Sequence, residues 1–118
     1  MPNSTQSRNV PTGLTSRNMA ARFTSMRSVL GVPEYGDILG RHGYREVNNI
    51  PSLEKARDVY RLLLDAFRVR FGEAKRSLGI DEYMKILSEL RLNPKAKLNP
   101  DQAVRVFNRI EETLNARP

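Results

Sequence analysis

Residues 52–71, SLEKARDVYRLLLDAFRVRF, decide the fold of this chain, because their apolar side chains recur with the period of an α-helix. Ser52 follows Pro51 and is a good N-cap, and Glu54 lies in the first turn, where its charge suits the helix dipole. At about 100° per residue, apolar and charged side chains fall on opposite arcs. The apolar arc holds Leu53, Ala56, Val59, Tyr60, Leu63, Ala66, Phe67 and Phe71. The segment is therefore predicted to be a core helix with a charged outer face.

Two further helices are predicted after this one, over 81–90 and 100–115. Asp81 suits the N-cap of the first, and Asn99-Pro100 with Gln102 forms a variant of the capping box at the second. The predicted inward side chains are Ile80, Tyr83, Met84, Leu87 and Leu90 in one helix, and Ala103, Val106 or Phe107, Ile110 and Leu114 in the other. The fold class is thus all-α, a small bundle of about three helices forming a domain over 52–118. The Leu-Asn-Pro sequence that occurs twice is too short to indicate a repeat.

A polar N-terminal arm, residues 1–33, precedes this domain. Residues 1–14 lack periodicity and are interrupted by proline and glycine, so they are predicted to be extended. One amphipathic helix is predicted over 16–30, ended by Gly31-Val32-Pro33. Residues 34–51 contain three glycines and Pro51 and are predicted to be a connector, with a short helical turn around 37–39.

The formal charge is +7, and residues 1–33 carry four arginines and no acid. Such a balance favours contact with phosphates, anionic lipid or an acidic protein surface, without choosing among them. The absence of cysteine excludes disulfides, a thiol nucleophile and Cys-ligated zinc. No apolar run has the length of a membrane span or the pattern of a secretory signal. The Arg-bearing, acid-free N-terminus leaves a mitochondrial-type presequence as an alternative.

No motif in the sequence supports catalysis or a cofactor. Neither a phosphate-binding Gly-rich loop nor a dinucleotide fingerprint is present, and the single histidine, His42, lies among glycines and is interpreted as an exposed loop residue. Gly40-Arg41-His42-Gly43 has the form of the GXXG loop of KH domains, but that loop belongs to a mixed α/β domain and no strands are predicted here. We expect no enzyme activity, no cofactor, no metal and no small-molecule substrate.

The predicted partner-binding element is the amphipathic helix of the arm. Its apolar stripe consists of Met19, Phe23, Met26 and Leu30, and Arg17, Arg22 and Arg27 lie at the rim. Such a stripe can dock on the domain itself or lie in a groove of another subunit, and we predict the second. An arm whose arginines only solubilise it is the alternative. Contacts to phosphate or to an acidic surface are possible at Arg41, His42, Tyr44 and Arg45.

These features favour a non-enzymatic structural or assembly protein, a small basic helical subunit whose arm binds neighbouring subunits in a homo- or hetero-oligomer. Virion proteins and other large assemblies use this layout, which is an analogy of layout only. The alternative is a nucleic-acid-binding regulatory or packaging-associated helical protein. No membrane partner is expected, and the protein is expected to be soluble, cytoplasmic or virion-associated.

Overall fold

The computed structural model describes residues 16–117, and the side chains of residues 18–117. Five α-helices follow one another: α1 (Ser16–Leu30), α2 (Val32–Arg41), α3 (Leu53–Leu78), α4 (Ile80–Glu89) and α5 (Pro100–Asn115). A turn of 3-10 helix lies at Val47–Asn49. The described part of the chain contains no strand, which confirms the all-α class. The predicted extended segment 1–14 lies outside the described residues.

The chain divides into two compact units, with the boundary between Leu64 and Asp65 in the middle of α3. Unit 1 contains α1, α2 and the first part of α3. Unit 2 contains the second part of α3, α4 and α5. Each unit therefore has the same order of elements: a helix, a short helix after a one-residue link, a loop, and a third helix.

The two units repeat one sequence pattern. Residues 30–41, LGVPEYGDILGR, align with residues 78–89, LGIDEYMKILSE, with identity at six of the twelve positions: Leu, Gly, Glu, Tyr, Ile and Leu. The aligned apolar side chains are buried in both units: Leu30 and Leu78, Tyr35 and Tyr83, Ile38 and Ile86, Leu39 and Leu87. The third helices of the two units also align, when the sequence separation between matched positions is one residue shorter than that between Leu30 and Leu78. In this alignment Val59 and Leu63 match Val106 and Ile110, and all four are buried. The two units therefore repeat one three-helix element in sequence pattern and in the order of helices.

Each unit joins its first two helices through a glycine with left-handed backbone. Gly31 has φ 89° and Gly79 has φ 96°, a conformation that side chains rarely adopt. Each glycine accepts, at its carbonyl, a hydrogen bond from the tyrosine four residues later: Tyr35 N to Gly31 O, and Tyr83 N to Gly79 O, both 3.0 Å. The glycine thus ends one helix and begins the next within a single residue.

The second helix of each unit ends in a Schellman motif. In α2, the N–H of Tyr44 donates to the carbonyl of Leu39 at 3.0 Å, with Gly43 left-handed at φ 86°. In α4, the N–H of Leu92 donates to the carbonyl of Leu87 at 2.8 Å, but the left-handed residue is Arg91, at φ 60°. Unit 2 therefore holds a non-glycine residue where unit 1 has glycine.

Replacing Arg91 by glycine is expected to raise the free energy of unfolding by about 1 kcal/mol, because glycine avoids the steric penalty of the left-handed region. Gly43→Ala, the reverse change at the equivalent position, should lower it by a similar amount. Urea titration followed by circular dichroism measures both. A loss of stability in Arg91→Gly would show that the arginine side chain contributes more than the backbone strain removes.

The core of unit 2 is built around Phe67, which is 1% exposed. Its ring lies edge-on to Phe107 at 5.3 Å and to Phe71 at 6.0 Å between centroids. Phe71 in turn meets Tyr83 edge-on at 6.2 Å. These rings come from α3, α4 and α5, so aromatic packing joins all three helices of the unit.

Four sequence-based expectations about the helices need correction. The helices number five rather than about three, and the segment 34–51, predicted to be a connector, is helical in its first part. The helix α2 forms there because Pro33 is tolerated near a helix start and because the helix buries Tyr35, Ile38 and Leu39. The helix predicted over 52–71 extends to Leu78, since Gly72 costs only about 1 kcal/mol inside a helix and buried Ala74 and Leu78 offset it. The helix predicted from Asp81 begins at Ile80, because Gly79 is its N-cap. In that helix Ile80 and Met84, predicted to face inward, are exposed. The capping box of Asn99 and Gln102 is confirmed.

Candidate interaction surface

The apolar stripe of α1 lies in the core of unit 1. Its four members are at most 3% exposed, and the ring of Phe23 lies 6.1 Å from that of Tyr60. The stripe consists of Met19, Phe23, Met26 and Leu30. Of the two alternatives, docking on the chain itself is therefore the observed one, because these side chains are already buried within the chain. Insertion into a neighbouring subunit stays a prediction, and it requires α1 to leave unit 1.

The arginines predicted at the rim of the stripe differ in their surroundings. The guanidinium of Arg22 lies 5.9 Å above the ring of Tyr60, a cation–π contact that helps to hold α1 on α3 within unit 1. Arg27 is exposed and close enough to Tyr35 to lower its pKa, although burial of that phenol has the larger effect and raises the pKa. The side chain of Arg17 lies outside the described residues.

The Gly-Arg-His-Gly segment is the C-terminus of α2 and not a loop between helices of a KH domain. Arg41 is the last residue of α2, and its guanidinium pairs with Asp37 at 3.0 Å on the surface. His42 is the C-cap, and Gly43 supplies the left-handed turn. Arg45 is exposed and Tyr44 is half-buried. The glycines are therefore explained by helix termination, while Arg41, His42 and Arg45 remain accessible to a partner.

The apolar side chains that do reach solvent belong to α2, α3 and α4. The large ones among the described residues are Val32 (67% exposed), Leu62 (39%), Val69 (62%), Ile80 (61%) and Met84 (41%). Val32 and Ile80 occupy the same position in the two repeats, the first residue after the left-handed glycine. The packing of each unit does not need these side chains, since they lie outside both cores.

In unit 2 the exposed apolar residues lie on the same helix faces as residues that line one depression, and we call these faces together the unit 2 strip. Residues three, four and seven apart share one face of a helix. On that basis α3 contributes Val69, Gly72 and Arg76, and α4 contributes Ile80 and Met84. An open depression of about 430 Å³ lies between the two sets and is lined by Gly72, Lys75, Arg76, Gly79 and Ile80.

Two cations border this depression. The ammonium of Lys75 lies 4.5 Å above the ring of Tyr83, whose pKa is raised by burial. The guanidinium of Arg76 folds over Gly72, where an added Cβ would lie 3.6 Å from its Nη1. Among the residues that the structure describes, neither cation forms an ion pair, even with Glu73 or Asp81 nearby in the chain. The rim of the depression is therefore positively charged.

Other arginines of unit 2 are occupied by structural contacts. Arg117 pairs with Glu82 and donates to the carbonyls of Ser77 and Leu78 at 3.2 Å and 3.1 Å, which fastens the segment after α5 to the junction of α3 and α4. Arg109 pairs with Glu89 and so links α5 to α4. At the unit 2 strip, by contrast, the exposed side chain of Ile80 lines the same depression as Lys75 and Arg76, which form no ion pair among the described residues.

Within residues 16–117, no group of three or more His, Asp or Glu side chains is placed to hold a metal ion. In the same part of the chain, no helix combines the length and apolarity needed to cross a membrane.

Comparison of the chain with models of known protein families, with curated protein sequences and with solved structures finds no match.

The residues of the unit 2 strip were not identified from the sequence. Periodicity placed Ile80 and Met84 inside, because their spacing from Leu87 fits one helical face. The signal that could have corrected this is the repeat, since Gly36 is the counterpart of Met84. A core position rarely alternates between methionine and glycine, whereas a surface position can.

Proposed function

We propose that this protein is a non-enzymatic structural or assembly protein, a small basic helical subunit of a larger complex. The observation that carries the proposal is the repeated exposure of a β-branched side chain. Val32 is 67% exposed and Ile80 is 61% exposed, at equivalent positions of two repeats whose sequences otherwise differ at many surface positions. Solvent-exposed apolar groups that recur without a packing reason are typical of surfaces that meet a partner.

The architecture supports the same proposal. Tandem helical repeats present surfaces that act in protein binding, and each added repeat extends the surface. Among the five residues that line the open depression of unit 2, Lys75 and Arg76 are the two with polar side chains, and both are basic, whereas a site for a small substrate combines several different polar groups. The partner-binding role of the α1 stripe, with Arg17, Arg22 and Arg27, remains a second route to a neighbouring subunit.

Binding of nucleic acid is the alternative function, favoured by the formal charge of +7 and by the exposed Arg41 and Arg45. Against it, several surface arginines are engaged by carboxylates, such as Arg41 by Asp37 and Arg68 by Asp65. Paired guanidinium groups are less available for the phosphate contacts that dominate such binding.

The mass of the tagged full-length protein in extracts of the cells that produce it tests the proposal. We expect native chromatography with light scattering to find it in a species well above the 13.5 kDa of one chain, and nuclease treatment to leave that species unchanged. A 13.5 kDa species in the extract would refute an assembly role. Collapse of a large species on nuclease treatment would favour the nucleic-acid alternative.

A further inference from the structure

We propose that the unit 2 strip is the docking site for an acidic amphipathic protein segment, an inference that rests on the assembly function and names the chemistry of one partner. The strip offers Val69, Ile80 and Met84 to solvent, and the cations of Lys75 and Arg76 line the same depression as Ile80. Apolar anchors in a shallow groove between two helices suit an amphipathic helix that lays its apolar face against them. Unpaired cations at the rim select acids on the flanks of that helix.

Comparison of the two repeats shows which residues of the unit 2 strip the three-helix element does not require. The counterparts of Val69, Gly72, Arg76 and Met84 in unit 1 are Ala21, Thr24, Ser28 and Gly36. The first repeat thus builds the same helices with small, uncharged residues at these positions. The larger apolar groups and the extra cation of unit 2 are therefore not required by the three-helix element.

The size of the depression also suits apolar side chains of a protein partner. Its volume of about 430 Å³ lies within the range of about 300–1,000 Å³ typical of ligand sites, but the depression is open to solvent. Along α3, the seven steps from Val69 to Arg76 span about 10 Å, about two helical turns. Two or three apolar side chains on one face of a partner helix match that length.

Other occupants fit less well. Single-stranded nucleic acid binds through stacking on exposed aromatic rings, and Tyr83 is only 7% exposed. Electrostatic recognition of anionic membranes uses clusters of about 4–8 basic residues, whereas the depression is bordered by two. A second copy of this chain, docked strip to strip about a two-fold axis, would bring Lys75 and Arg76 against themselves.

The substitution that tests the strip is Ile80→Glu. Position 80 is the first residue of α4, where a negative charge suits the helix dipole, so the variant should fold. The new charge repels an acidic partner and removes an apolar anchor. Asn108→Glu is the control, because it adds the same negative charge at an exposed position of α5, a helix that contributes no residue to the unit 2 strip.

A phage-displayed library of random peptides of about 16 residues, about four helical turns, is the probe, and the purified full-length protein is the bait. We expect the selected peptides to combine Asp and Glu with Leu, Ile or Phe at helical spacing. A synthetic selected peptide should lose about tenfold or more in affinity for Ile80→Glu, as expected from removing one well-buried aliphatic contact and adding repulsion. Its affinity for Asn108→Glu should be unchanged.

Two further variants use residues that the first repeat already accommodates. Val69→Ala and Arg76→Ser introduce the residues found at the equivalent positions Ala21 and Ser28. Each should lower the affinity of the protein for the peptide severalfold without loss of the protein's helix content. Arg105→Ser, which removes an exposed cation of α5, is the charge control and should bind as wild type. Raising the ionic strength from about 0.01 M to about 0.15 M shortens the screening length from about 30 Å to about 8 Å and should weaken binding to wild type more than to Arg76→Ser.

Selected peptides that are basic or aperiodic, or that bind Ile80→Glu as well as wild type, would overturn the inference. Displacement of the peptide from the strip by a DNA duplex or by anionic vesicles, at concentrations below those at which the peptide itself binds, would assign the strip to those ligands instead. If the docking-site proposal is wrong, the mass of the complex in cell extracts stays unaltered. If the assembly function is wrong, the extracts contain a 13.5 kDa species, so the two outcomes are distinguishable.

Discussion

Removal of residues 1–30 is expected to abolish the cooperative folding of unit 1. The helix α1 supplies five buried apolar side chains to that unit: Met19, Phe23, Met26, Val29 and Leu30. At about 1.5–3 kcal/mol for each, their burial is comparable with the whole stability of a small domain, about 5–15 kcal/mol. What remains of the unit, α2 and the first part of α3, would then expose the apolar faces that α1 covers.

Amide hydrogen exchange of residues 32–64 measures this loss, and we expect protection in α2 to disappear. Removal of residues 1–15 alone, the polar tract before α1, is the control and should leave exchange in 32–64 unaltered. If the 1–30 truncation instead keeps protection in α2 while the protein leaves its complex, α1 acts mainly as the partner-binding arm that its sequence predicted.

Phe67→Ala is expected to lower the free energy of unfolding of unit 2 by about 3–5 kcal/mol, because it leaves a cavity at the centre of the core. Phe67 is 1% exposed and makes edge-on contacts with Phe71 and Phe107, so helices α3 and α5 both lose packing. Val69→Ala, two residues later on the same helix but 62% exposed, should change it by well under 1 kcal/mol.

Urea titration monitored by circular dichroism gives both free energies. Arg61→Ala, on the charged arc of α3, is a second control and should also stay well under 1 kcal/mol, because an exposed charged side chain contributes little. Equal losses in Phe67→Ala and Val69→Ala would mean that the buried and exposed faces of α3 are wrongly assigned.

The faces of α3 and α5 could be predicted from the sequence because they are long and strongly periodic. Ala56, Val59, Leu63 and Phe67 are buried as the apolar arc required, and so are Val106, Phe107 and Ile110 in α5. In a helix of four turns or more, choosing the wrong buried face would place several charged side chains in the core, so the pattern specifies one buried face. The start of α5, predicted from the capping residue Asn99, is also confirmed, because a cap depends only on local interactions.

Short helices were harder to predict. The helix α2 has ten residues, two of them glycines at 36 and 40, and it starts next to Pro33. Intrinsic propensity disfavours this segment as a helix, and tertiary burial of Tyr35, Ile38 and Leu39 overrides that preference. The ten-residue helix α4 was predicted within one residue of its bounds, but part of its predicted buried face was wrong, because Ile80 and Met84 are apolar side chains that lie on the surface.

By itself, then, the sequence determined the helical class, the buried faces of the long helices, the cap at Asn99 and the excess of positive charge, all of which depend on residue type and local spacing. Only the tertiary structure decided that the stripe of α1 fills the core of unit 1, that both copies of the repeated sequence pattern fold into three helices, and that Val69, Ile80 and Met84 lie in solvent. The physical reason is that an apolar side chain gains the same free energy from burial against its own chain or against a partner. Its sequence spacing specifies a face, and only the packing of the whole unit specifies what that face meets.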